Sequence, residues 1–377
     1  MTKISDFLKE NKSKLICIYI NLLYVYYIFQ LSQLNESYLK LILLITYLLF
    51  PFVLIAKHIN LKKIIMIGIL CIFGYTITHF DSRYLTIITI FFALWEEDIS
   101  YLFKPLFIVS TLALFLSILI GIDHINGLCV GLGLITYLLF LSNILKGLNV
   151  YTCIGILINI FLFGFIRSGQ AIVCINFCFI FLLLLKKYQS GLFFKSRLWI
   201  CSFFMCSFLN IYLALSTHNY GLLYLNKFLP NSFNLFIDSF LNKLDSLLSY
   251  RLSLSNVSLN LFGFKLYGNA LNPDHPRLIG SYFNVDSGYL QILQCQGLII
   301  FLFILIILML IMLYFYRVGR WDLIVIGFTI ALWGINEDIL VSPVGNILWL
   351  FLPQSINYIR NNYITKRRKI CTQRFQN

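Results

Sequence analysis

The run GYLQILQCQGLIIFLFILIILMLIMLYFY, residues 288–316, decides the fold. It carries no charged side chain and is longer than the roughly 20 residues needed to cross the hydrocarbon core of a bilayer. A backbone in hydrocarbon must satisfy its own N–H and C=O groups, so such a run predicts a membrane-spanning helix. The rest of the chain repeats the pattern. Of 377 residues, 60% are hydrophobic and only 12% charged, against about 25% charged in an average soluble protein. Apolar runs at 15–33, 39–56, 64–80, 84–95, 105–122, 126–145, 150–167, 170–185, 198–216, 322–336 and 340–358 complete a set of about twelve spans. The expected fold class is all-α: a polytopic helical bundle forming a single transmembrane domain over 1–377.

Run 84–95 is short for a span before Glu96, Glu97 and Asp98. It is counted because both termini are strongly basic, and both remain cytoplasmic only if it crosses. On this topology cytoplasmic segments hold 21 Lys/Arg and 6 Asp/Glu. External segments hold 8 and 9, and the sums recover the chain's 29 and 15. The formal charge of +14 therefore reports orientation and not a nucleic-acid partner. The cysteines mostly lie inside apolar runs without metal-type spacing, so neither a disulfide framework nor a metal or other cofactor is expected.

One polar interval interrupts the scaffold, an external loop over 217–284. Within it Ile237, Phe240, Leu241, Leu244, Leu247 and Leu248 fall at helical spacing, with Asp238, Lys243 and Asp245 on other faces. That predicts an amphipathic helix lying in the interface or capping the bundle. From Gly263 to Pro276 the Gly, Asn and Pro content predicts irregular, exposed backbone.

Chemistry should converge on this interval. Arg251 follows the amphipathic helix, where it is either a snorkelling cation or an anion holder, its planar fork matching phosphate oxygens. Arg167, in the turn IRSGQ, faces the same side, as do Arg83 and Arg277. Asp286 precedes the long span and is either its N-cap or a general base; His275, in NPDHPR, is a second candidate base. Glu337 and Asp338 lie near an external span end. Acidic groups that close to a bilayer are costly unless paired, so an external arginine is their expected partner. No P-loop, GxSxG or HExxH motif is present.

These segments resemble the Wzy-type polysaccharide polymerases of capsule and O-antigen synthesis and the related O-antigen ligases. YRLSLSNVSLNLFGFKLYG is similar to the family's external-loop segment, with Arg251 in the place of its arginine and Gly263 or Gly268 in that of its glycine. NVDSGYLQILQCQGLIIFLF resembles the entry into the following span, with Asp286 and Gly297 at its recurrent positions. FIRSGQAI resembles a Ser-Arg-Thr turn through Arg167, although isoleucine replaces the serine and Ser168 the threonine. Asn126 in IDHINGL fits a further motif that here lacks its proline and arginine, and Glu337 and Asn346 resemble a late Glu-and-Asn pair.

The resemblance implies an inverting, metal-independent glycosyltransferase in a bacterial plasma membrane. Its substrate would be an oligosaccharide on undecaprenyl pyrophosphate, and membrane lipids, a chain-length regulator and a flippase would be its partners. Arg251, Arg167 and Arg277 would hold pyrophosphate, Asn126 and Glu337 would line the substrate site, and Asp286 or His275 would take the proton from the acceptor hydroxyl. Ligase-type transfer to another acceptor and a lipid-oligosaccharide flippase are the alternatives. A flippase is expected to show repeat halves and mid-membrane charges, which this sequence does not.

Overall fold

The structure, a computed structural model, describes residues 10–78, 81–122, 125–142, 196–217, 230–247, 251–268, 277–278, 281–282, 287–335, 337–343 and 345–362. Over these residues the regular secondary structure is helical apart from one two-residue antiparallel ladder, Arg277–Leu278 with Ser281–Tyr282, and an isolated bridge between Ser32 and Ile122. The helices are numbered over the described residues. They are α1 (Lys12–Phe29), α2 (Glu36–Ala56), α3 (Leu61–Ile77), α4 (Ser82–Leu94), α5 (Phe103–Ile120), α6 (Ile125–Ser142) and α7 (Ser202–Ser216). There follow α8 (Asn231–Leu247), α9 (Arg251–Phe262), α10 (Gly288–Gln291), α11 (Gly297–Val318), α12 (Trp321–Trp333) and α13 (352–362).

Among the described residues, five helical stretches are long and apolar enough to cross a membrane: Lys12–Phe29, Glu36–Ala56, Ser100–Ile120, Arg197–Ser216 and Gly288–Val318. Their outer faces expose large apolar side chains, including Leu44, Leu48, Leu112, Phe115, Phe208 and Phe303. Contiguous apolar surface on this scale is foreign to a soluble monomer and natural for one solvated by lipid. Inside, aromatic pairs lock the helices. Phe315 of α11 meets Phe351 edge-on at 5.1 Å, and Trp199 meets Phe328 at 4.8 Å. The expected spans 150–167 and 170–185 lie outside the described residues.

Charged side chains gather at two ends of the bundle, and α4 runs between them. At one end Glu97 pairs with Lys12 and Lys57 (3.1 and 3.4 Å), and Arg360 pairs with Glu96. Lys57 also donates to the carbonyls of Phe92, Ala93 and Trp95. A cation there satisfies orphan carbonyls and complements the negative end of the helix dipole. At the other end Arg83, in the first turn of α4, bonds Asp81 and Asp338. The 13 residues of α4 cover only about 20 Å, yet they connect both charged ends.

Two helices are interrupted at one of those ends. Between α10 and α11 the backbone forms a single π turn, Ile292–Gln296, and Gly297 then takes φ +89°. The segment after α9 inserts at this break. Lys265 and Leu266 offer their carbonyls to Leu298 and Ile299 N–H (2.9 and 3.3 Å). Gly268 and Gly297 touch backbone to backbone: a Cβ on Gly297 would lie 2.2 Å from Gly268 N.

The second interruption corrects the expected span 340–358. After α12 the chain is non-helical through the described residues up to Asn346, and a 3₁₀ turn, Ile347–Phe351, leads into α13. Ile339, Leu340, Val341 and Asn346 are nonetheless buried. Irregular backbone at such depth is tolerated only inside protein, and side chains supply the missing bonds. Asn346 donates to Leu340 O at 2.7 Å and accepts from Leu348 N–H, while Trp349 Nε1 donates to the same carbonyl at 2.9 Å. The apolar count over 340–358 suggested a span because these residues are buried, but Gly345 and Asn346 sit where a straight helix would need helix formers.

Candidate functional site

The non-helical stretch after α12 presents two adjacent carboxylates, and each meets an arginine distant in sequence. Arg251 Nη1 donates to Glu337 Oε1 at 2.6 Å, with side chains only 12% and 15% exposed. Arg83 reaches Asp338 and forks onto both oxygens of Asp81. The expected pairing of Glu337 and Asp338 with arginines is what the structure contains. Asp338 lies outside the spanning helices. Its burial is the largest influence on its carboxyl, which is pushed up from the usual range against the pull of Arg83. Gln291 reaches toward it from α10.

Arg251 is held in place by its own corner. Asp245, near the end of α8, is buried, and its carboxylate accepts from Leu252 and Ser253 N–H at 2.8 and 3.2 Å. It therefore caps α9, a role the periodicity of α8 alone could not show, since the next helix begins four residues after α8 ends. The amphipathic helix itself is as expected, with Ile237 and Leu241 buried and Phe240 exposed. Arg251 thus opens α9 at its electropositive end, where a cation is uncomfortable. Glu337 and Asp245 offset that positive potential.

The other helix entering the site is α10. Its N-cap is Ser287, whose hydroxyl accepts from Leu290 N–H and donates to Asn210 Oδ1 at 2.8 Å. This corrects the N-cap reading of Asp286: the cap falls one residue later, on a hydroxyl that Asn210 can also engage. Asn210, in the middle of α7, donates in turn to Ile335 O at 3.0 Å, and Gly288 N–H donates to Gly334 O. A Cβ on Gly288 would stand 2.8 Å from Glu337 O, so that glycine lets α10 approach the stretch carrying both carboxylates.

Of the sequence-derived candidates, the structure brings together Arg251 and Glu337. Asp286, His275 and Arg167 lie outside the described residues, Arg277 is placed only as backbone in the short ladder, and Asn126 only as backbone in the first turn of α6. Asn346, the late asparagine, serves the buried turn and not the cluster. Between the two glycines weighed after Arg251, Gly268 makes the backbone contact, whereas nothing lies within 4 Å of a Cβ on Gly263. Sequence reasoning missed Asp81 as the second partner of Arg83 and the buried amides Asn210, Gln291, Gln294 and Gln296. A signal existed, since uncharged polar side chains inside apolar runs need partners. Among the described residues no group of three or more His, Cys, Asp or Glu could hold a metal ion.

Compared with known proteins, the chain matches no family model, no curated protein and no solved structure.

Proposed function

We propose that this protein polymerises lipid-linked oligosaccharide repeat units, moving a glycan from undecaprenyl pyrophosphate to the acceptor sugar of an incoming unit. On this reading it is a twelve-span enzyme of a bacterial plasma membrane, with cytoplasmic termini and the loop 217–284 outside. The acceptor hydroxyl attacks the anomeric carbon, the bond to the pyrophosphate oxygen breaks, and configuration inverts. Asp286 or His275 takes the hydroxyl proton. Arg251, with Arg167 and Arg277, neutralises the departing pyrophosphate, so stabilisation grows where charge develops.

One observation carries the proposal: a guanidinium at the positive end of α9 meets Glu337 where two helices are interrupted, beside a second arginine–carboxylate group. Interrupted helices with charged side chains inside an apolar bundle are functional features by default, because both are costly in lipid. In this reading Glu337 is a resting counter-ion that a diphosphate displaces from Arg251. The test is to supply purified protein in liposomes with one defined undecaprenyl-pyrophosphate oligosaccharide. A ladder of products with release of lipid pyrophosphate supports polymerisation; transbilayer movement of intact donor without new glycosidic bonds would replace it with the flippase reading.

A further inference from the structure

The charged end of the bundle opposite Arg251 holds a cavity of about 600 Å³ lined by Lys12, Lys57, Lys63, Arg360, Glu96 and Glu97. Its balance is positive: four cations against two carboxylates. The pairing leaves the excess in definite places. Lys12 and Lys57 share Glu97, and Arg360 takes Glu96. Lys63, exposed at the first turn of α3, has no carboxylate partner among the described residues. Two further walls of the cavity are Phe91 and Phe92.

Those same two phenylalanines begin a second cavity of about 430 Å³, lined by Leu70, Phe73, Ile88, Phe303 and Ile307 and by no charged side chain. It runs along α4 from Phe92 back to Tyr84, between α3, α11 and α13. A cationic pocket and an uncharged groove thus join at a shared aromatic wall. That is the polarity of a lipid with a phosphate head group. The pocket lies at the end where Lys/Arg excess marks the cytoplasmic leaflet, whose anionic phospholipids attract such clusters.

We propose that the two cavities form one binding site for an anionic phospholipid, with its phosphate against Lys63, Lys12 and Arg360 and one acyl chain along the groove. The site is at the far end of α4 from Arg251 and does not depend on the glycan-polymerase reading. It commits to the bilayer's own phospholipid and not to a polyprenyl phosphate.

Native mass spectrometry of the full-length protein released from detergent, with phosphatidylglycerol and phosphatidylcholine added at equal concentration, tests it. Phosphatidylglycerol should be retained at least fivefold more than phosphatidylcholine. K63Q with R360Q, both at exposed positions, should bring the ratio to about one, with the elution volume unchanged in gel filtration. I88W, filling the groove, should lower retention of both lipids. Equal retention in the wild type, or a ratio unchanged in the double variant, would overturn the proposal. An equimolar polyprenyl phosphate should leave phosphatidylglycerol in place; its displacement would overturn the commitment to a phospholipid.

Discussion

Replacing Arg251 by alanine while Glu337 remains leaves a carboxylate that is only 15% exposed without its guanidinium. Breaking a fully buried pair costs about 3–5 kcal/mol, whereas exposed pairs are worth less than about 1 kcal/mol. At this burial, about 2–3 kcal/mol is expected for Arg251→Ala and a similar loss for Glu337→Ala. The backbone around Glu337 should survive either change. Its N–H donates to Trp333 O and its carbonyl accepts from Ile339 N–H at 2.8 Å, neither of which involves the side chain. Removing both partners abolishes the pair and both desolvation penalties, so the double variant should lose only about 1–2 kcal/mol, well short of the sum. Denaturant unfolding in mild detergent, followed by tryptophan fluorescence, measures all four corners of the cycle; Trp333 and Trp349 are buried on either side of the interrupted stretch. Losses that add to within about 0.5 kcal/mol would show that the two side chains are not coupled, and the site as described would be wrong.

Other substitutions follow from the same geometry. Gly297→Ala combines a φ of +89° with a Cβ 2.2 Å from Gly268 N. It should cost more than about 3 kcal/mol, while Gly263→Ala, strained only in φ, should cost about 1–2 kcal/mol; thermal unfolding in detergent ranks the two. Lys57→Met strips a donor from three carbonyls at the end of α4 and should lower stability by about 2 kcal/mol, read by the same method. Asn346→Ala loses a cap and a buried hydrogen bond, together about 2 kcal/mol. Glu337→Gln keeps the side chain's shape while removing its charge from Arg251. It should lower the apparent KM for the lipid-linked donor about threefold or more, as expected for a charge-assisted contact, in initial-rate assays with the donor varied.

The apolar framework was legible because its signal is collective: uninterrupted runs such as 288–316 can hardly be anything but helices in lipid. The amphipathic helix was legible for the same reason, through its spacing. What the sequence could not show was interruption. The π turn at Ile292–Gln296 and the buried stretch up to Asn346 lie in or beside apolar runs, and hydropathy averages over their few polar residues. Gly297, Pro343, Gly345 and Asn346 hint at a break, and what Gly297 and Asn346 do there depends on a partner, Gly268 or Leu340, that is not next to them in sequence. The pairing of Glu337 and Asp338 with arginines followed from the cost of bare charge. Which arginine meets which carboxylate did not, because that is fixed by the corner at Asp245 and by the start of α4. Asp245 and Ser287 taught the same lesson on a smaller scale: a cap is chosen by the helix it serves, and its own periodicity is blind to that.

The central claim is that Arg251 holds the pyrophosphate of a glycan donor, and its most direct test uses the variant in which part of the lost stability is recovered. Arg251→Ala/Glu337→Ala, reconstituted in liposomes with a defined undecaprenyl-pyrophosphate oligosaccharide, should remain folded, less destabilised than either single variant, and yet produce no ladder of longer glycans, where the wild type produces one. A full ladder from that variant would contradict the account.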